Sequence, residues 1–325
     1  MKRCSTAINL LVLLVLAWAS ITADALGVYD LAKFELYKVR FVLDITNSGG
    51  TATAIKVKVP LLMTKGLPPY QNLRSFTYAP ENSIRLVSSE KNQIAEVTVP
   101  RLDKNQRVQY QFEYRFYNTA ITYNLERFGG WDPGDEQYLR PEKGIESNSP
   151  VIQLLASELT KQCGTNLEKA KQIYAYVNST ISYTLNSPEP HSALMTLQRK
   201  QGLCIDYALA YIALCRSVGI PSRFVAGYRF DDTDVGFFET DLEQYGHAWA
   251  ESYLSGLGWV PVDPTSFVYQ QGKQVTSFDY FGKISAKDRH LFAHYDQAEE
   301  LHSAYSYQQV LPKLSIKLKR TVQRL

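Results

Sequence analysis

The chain reads as an α+β protein, a β-sandwich followed by a mixed core of helices and short strands. Three observations predict this. Residues 34–125 show repeated period-two alternation, with turn residues between the runs. Residues 149–218 place apolar side chains at helical steps, and residues 223–262 return to short strands.

Each element follows from its local pattern. Residues 34–45 alternate through Val39, Phe41, Leu43 and Ile45 and stop at Asn47-Ser48-Gly49-Gly50. Residues 53–60 repeat the pattern through Ile55, Val57 and Val59. Residues 84–87, 94–99 and 108–117 are further strands, the last with Tyr110, Phe112, Tyr114 and Phe116 on one face. Several short strands at this spacing specify a sandwich. Residues 126–150 form a turn-rich linker. Ser149-Pro150 then opens a helix carrying Val151, Leu154, Leu155 and Leu159 at helical spacing. A second helix covers about 166–177, and 181–185 reads as a short strand. A third helix starts at Cys204 and ends before Gly219-Ile220-Pro221. Strands are expected at 223–229, 247–254 and 259–262, and Leu314, Ile316 and Leu318 alternate as a closing strand. The expected order is a leader at 1–25, a β-sandwich at 26–130, a core at 145–270 and a C-terminal β extension at 271–325.

The leader is read as an export signal. Lys2 and Arg3 precede an apolar run over 8–19 broken only by Asn9, and Ala23-Asp24-Ala25 gives a small-x-small cleavage pattern before Leu26. The run is shorter than the roughly 20 residues a spanning helix needs, and no later segment is long and apolar enough. The expectation is therefore a secreted or periplasmic protein with no membrane span after cleavage. The balance of 35 basic and 32 acidic residues argues against nucleic acid as a partner. Three cysteines remain past the leader: Cys163, Cys204 and Cys215. An odd count in an exported chain implies at least one free thiol. They have no paired C-x-x-C spacing, so neither a zinc site nor any other metal or cofactor is expected.

The chemistry concentrates in Gln201-Gly202-Leu203-Cys204, Gly246-His247-Ala248-Trp249 and Gly258-Trp259-Val260-Pro261-Val262-Asp263. A cysteine at a helix start meets free N–H groups and the positive end of the dipole, which favour thiolate and can donate to an oxyanion. Asp206 would oppose the thiolate if it faced the sulfur, so it is expected to point away. Cys215 and Cys163 read as small buried hydrophobes. Folding back at Ser255-Gly256 brings Asp263 within one or two residues of the position opposite His247. There a carboxylate can take the Nδ1 proton and fix the ring. Cys204, His247 and Asp263 are thus the candidate nucleophile, base and orienter. His191, His290, His294 and His302 lack such a context.

The runs R-K-Q-G-L-C-I-D-Y-A, L-C-R-S-V-G-I-P-S-R-F-V-A-G-Y, G-H-A-W-A-E-S-Y and G-W-V-P-V-D-P-T resemble, in order, the core blocks of the transglutaminase-like superfamily over 149–265. The resemblance implies a papain-like fold with Cys204, His247 and Asp263 as a catalytic triad. Gln198 or Gln201 could match the papain-type oxyanion donor. It also implies an acyl-enzyme formed on a peptide or protein amide, cell-wall peptide included, with hydrolysis slightly favoured over amine transfer. The alternative is a binding or scaffold protein carrying a vestigial triad.

Overall fold

In the computed structural model, which describes residues 27–130, 134–265, 268–270, 273–295, 304–308 and 313–325, the alternating first part of the chain forms six strands. These are β1 (Tyr29–Asn47), β2 (Ala52–Leu61), β3 (Gln71–Ala79), β4 (Ile84–Ser88), β5 (Gln93–Leu102) and β6 (Arg107–Tyr123). The expected leader lies outside the described residues. β1, β3 and β6 share one sheet, and β2, β4 and β5 share another. The alternating apolar sets of both sheets face each other. Val39, Phe41, Leu43 and Ile45 meet Ile55, Val57, Val59 and Val97, while Tyr110, Phe112, Tyr114 and Phe116 are buried together as the pattern requires. β3 was not expected, because Gln71–Ala79 has too weak an alternation to announce a strand.

The second part is built around one helix. α1 (Pro150–Thr160) begins with proline in its first turn, where a fixed φ suits the helix and no N–H is lost. α2 (Asn166–Thr180) opens on a capping box, with Glu168 N–H donating to Thr165 Oγ1 at 3.2 Å and Thr165 N–H to Glu168 Oε2 at 3.0 Å. The strand expected at 181–185 shrinks to β7 (Ser182–Tyr183), which pairs in parallel with β8 (Gln201–Gly202). Between them lies α3 (Ala193–Arg199), too short for its periodicity to be read. α4 (Cys204–Ser217) is buried on all sides from Asp206 to Arg216, as expected of a core helix.

α4 packs on a four-stranded antiparallel sheet in the order β12 (Gly258–Val262), β11 (Gly246–Leu254), β9 (Ser222–Phe230) and β16 (Arg289–His294). The smaller strands β10 (Thr240–Asp241), β13 (Val268–Gln270), β14 (Lys273–Val275), β15 (Lys283–Ile284) and β17 (Ala304–Gln308) complete the set with β18 (Leu314–Arg324). β18 lies antiparallel along β1, from Arg324 opposite Tyr37 to Leu314 opposite Asn47. β17 pairs with β2, so the last strands join the two sheets formed by the first ones.

β16 would present a bare edge, but the sandwich covers it. Asn118 Nδ2 donates to His290 O at 2.9 Å, and Met63 N–H donates to Ala293 O at 2.9 Å. Gln71 donates from Nε2 to Phe292 O at 3.0 Å and accepts from Phe292 N–H at 2.9 Å. Each otherwise orphaned backbone group is thereby satisfied. On its other side β16 runs so close to β9 that a Cβ on Gly227 would lie 2.1 Å from Leu291 O and 2.8 Å from the Trp249 ring. Gly227→Ala should therefore force β9 and β16 apart at a cost of about 1–3 kcal/mol, the usual range for overpacking. Thermal unfolding checks this, and a wild-type melting temperature would contradict the close approach.

Candidate active site

Cys204 is the first residue of α4, with Leu203 as the N-cap. The helix start is fixed by Asp206, whose Oδ2 accepts from Leu203 N–H at 2.8 Å. Its Oδ1 meets His191 Nδ1 at 2.8 Å and Thr196 Oγ1 at 3.4 Å, so the carboxylate is engaged away from the sulfur. His191 therefore has a role that its sequence context did not announce.

His247 sits at the start of β11. Beyond it, Ala250 and Ser252 turn toward α4, where Ser252 Oγ meets Tyr211 OH at 2.9 Å. The hairpin register, Leu254 opposite Gly258 and Ala250 opposite Val262, centres the turn on Gly256. Extending it puts position 265 opposite His247, one residue beyond the expected 264. Asp263 lies just past β12 and is held by its own N–H donating to Tyr280 O at 2.9 Å.

The structure brings all three candidate residues together. His247 Nε2 lies 2.9 Å from Asp263 Oδ2, and Cys204 Sγ hydrogen-bonds with the His247 ring and with Ala248 N–H. This corrects the expected ring orientation, since Nε2 rather than Nδ1 faces the carboxylate. The reason is local. The sulfur sits beside the backbone N–H of residue 248, so it meets the ring nitrogen nearest the main chain and leaves the distal one for Asp263. The Ala248 N–H is a donor at the sulfur that the sequence could not indicate. Gln198 and Gln201 are both exposed.

The electrostatics follow from these contacts. Burial pushes the Cys204 thiol up, but the hydrogen bond and charge of His247 and the Ala248 N–H outweigh it, and the thiol ends below its ordinary value. Burial likewise opposes the His247 imidazolium, yet the Asp263 carboxylate and Cys204 raise the ring from 6.5 to about 9. Asp263, opposed by burial but surrounded by His247, His290 and Arg229, is held well below the usual carboxylate range. These contacts thus favour a thiolate–imidazolium pair resting on a buried carboxylate. Cys215, by contrast, is pushed by burial up to about 12.

Two residues that sequence reasoning passed over converge on the same carboxylate. Arg229 Nη1 reaches Asp263 Oδ2 at 3.3 Å, and His290 Nε2 reaches it at 3.2 Å. No local pattern marked either residue; β16 pairs with β9, which pairs in turn with β11, and the His290 ring reaches across β9 to the His247 ring. The ligand atoms of His247, Asp263 and His290 lie within 4.8 Å of one another, a spacing a metal ion could use. The guanidinium of Arg229 on the shared oxygen disfavours a further cation there.

A cleft of about 230 Å³ opens beside His247 and is lined by Arg229, Asp231, Asp234, Tyr245 and Asp288 among others. Tyr183, half exposed, stands close enough to Cys204 for the thiolate charge to add to burial in raising its phenol. The described residues include no helix long and apolar enough to cross a membrane.

Residues 153–264 match the family model described as the transglutaminase-like superfamily. Over 122 residues the chain is 37% identical to the protein-glutamine gamma-glutamyltransferase of Pseudomonas aeruginosa, covering 36% of this chain and 18% of that protein. It is 32% identical over 112 residues to protein ML0607 of Mycobacterium leprae, covering 33% and 39% of the two chains. The chain thus spans well under half the length of the curated relatives it matches. Among solved structures, the "Putative Cysteine Protease" of Cytophaga hutchinsonii is similar in fold, with a TM-score of 0.54 at 16% identity. That likeness covers 91% of this chain and 100% of the other.

Proposed function

From a β-rich N-terminal part joined to a transglutaminase-like core, we propose that this chain is a thiol enzyme acting on peptide amide bonds, with Cys204, His247 and Asp263 as its triad. The observation that carries the proposal is the chain of contacts from Cys204 through the His247 ring to the buried Asp263 carboxylate, which lowers the thiol and raises the ring.

In the proposed reaction, Cys204 Sγ attacks the substrate carbonyl carbon and the carbonyl electrons move to oxygen. The N-terminus of α4 faces that charge. As the oxyanion collapses, the C–N bond breaks and His247 gives its proton to the leaving amine. A thioester remains. Water or a second amine then attacks it while His247 takes the incoming proton, and thiolate and imidazolium are restored. Asp263 keeps the ring aligned in both halves.

Hydrolysis stands as the first reading, since water is the abundant acceptor outside the cell. Amine transfer gains support from the cleft beside His247, whose lining includes Asp231, Asp234 and Asp288 as well as Arg229. A glutamine peptide incubated with and without a primary amine, followed by mass spectrometry, separates acid from crosslink. The leader pattern supports an extracytoplasmic place of action.

The pH dependence has a definite sign. The His247 proton stabilises the folded state fully below pH 6.5, and that contribution is lost as pH rises through about 9. The Cys204 thiolate contributes in the opposite sense and is lost as pH falls through its lowered value. Iodoacetamide at pH 7 should therefore modify Cys204 much faster than Cys215, and turnover should fall on the alkaline side as His247 loses its proton near 9. Equal labelling of the two thiols in the folded protein would remove the case for an activated nucleophile.

A further inference from the structure

We propose that His290 is a positioning residue of this site, a second imidazole that fixes the Asp263 carboxylate on which His247 turns. The inference rests on the triad reading above and extends it to a residue outside the core blocks, on a strand tied down by the sandwich. The His290 side chain is 1% exposed and its Nε2 lies 3.2 Å from Asp263 Oδ2, the same oxygen that meets His247.

Its place is firmly set. The Trp249 ring stands edge-on to it at 4.9 Å between centroids, and the His247 ring meets it at 5.6 Å. Its backbone carbonyl is held by Asn118 from β6. Three titratable or charged groups face it: Asp263 beyond β12, His247 on β11 and Arg229 on β9. Both ring nitrogens look at oxygens, because Nδ1 lies 3.0 Å from the Asp288 carbonyl. Burial keeps the ring neutral near pH 7, so it can donate to only one of them. A hydrogen bond to a charged acceptor is roughly twice as strong as one to a neutral carbonyl, which places the proton on Nε2 toward Asp263.

That donor does two things. It partly replaces the hydration Asp263 lost on burial, keeping the carboxylate ionised, and it fixes which way the carboxylate points. With the donor gone, Asp263 would rotate or protonate, His247 would hold its proton less tightly, and the Cys204 thiolate would lose its partner.

The test uses two variants of similar size. In His290→Gln the amide nitrogen falls near the position of Nε2, and in His290→Asn near that of Nδ1. The rate of Cys204 alkylation is followed against pH for both and for wild type, with thermal unfolding as a fold control. The proposal expects His290→Gln to keep the wild-type profile. His290→Asn should move the acidic limb up toward the free-thiol value and lower turnover by ~10–100-fold, the range for loss of an outer hydrogen-bond partner. Superimposable profiles for wild type and His290→Asn, or a shift in the Gln variant alone, would overturn it. So would wild-type turnover removed by EDTA and restored by Zn²⁺, which would make His290 a metal ligand. A wild-type profile with no lowered limb points instead to failure of the triad itself.

Discussion

Cys204→Ala should abolish turnover while leaving substrate affinity close to wild type, since the change removes the attacking sulfur and few other contacts. Asp263→Asn should lower turnover by up to ~10⁴, by analogy with the equivalent change in serine triads. Joined in one protein, the two changes should cost little more than Cys204→Ala alone, because they disable one unit. Asp263→Asn should reach the fold as well as the chemistry. The Asp263 carboxylate accepts from His247, His290, Arg229 and Thr265. An amide there would point N–H groups at donors in a buried site, so the melting temperature should fall as well. Turnover per folded molecule, measured beside thermal unfolding, separates the two effects. A Cys204→Ala protein with full turnover would end the enzyme reading.

Arg289→Ala should lower stability markedly. The Arg289 side chain is 1% exposed and pairs with Asp232, while Nη1 donates to Asn118 O at 3.0 Å and Nη2 to Lys33 O at 2.9 Å. Asp232 also accepts from Tyr37 OH at 2.8 Å. One guanidinium thus joins the strand bearing His290 to two strands of the sandwich. Its removal leaves a carboxylate and two carbonyls short of donors. Breaking a fully buried pair from one side costs about 3–5 kcal/mol. Asp232 is partly exposed, so the loss should lie toward or below the lower end of that range. Urea denaturation should show the midpoint falling accordingly. An unchanged midpoint would mean that water replaces the guanidinium without loss.

The parts legible in the sequence are those whose signal is local. A proline at the first turn, apolar residues at helical steps and a cysteine just past Gly202-Leu203 mark α1, α2 and α4 because each signal acts within a few residues. The hairpin from His247 to Asp263 could be counted from its turn, with an error of one residue. His290 and Arg229 were invisible for the opposite reason. Their closeness to Asp263 depends on strand order in a sheet, and neither residue has a neighbour in the chain that betrays it. β18 shows both sides. Leu314, Ile316 and Leu318 announced a strand, but nothing local names β1 as its partner. The orientation of the His247 ring was likewise set by the backbone of residue 248 rather than by the identity of any side chain.

The pairing of β18 with β1 also bears on how the molecule is made. Synthesis runs from the N-terminus at ~5–20 residues per second, so β1 leaves the ribosome many seconds before its last partner exists. Throughout that interval one side of β1 is an open template for any extended chain nearby. Closing the sheet then requires two segments far apart in the chain to find each other, a slow step for a chain rich in distant contacts. The alternation on β18 fits the hazard: Lys317 and Lys319 are exposed between the half-buried Ile316, Leu318 and Arg320. Those charges discourage the strand from joining its own kind before it reaches β1.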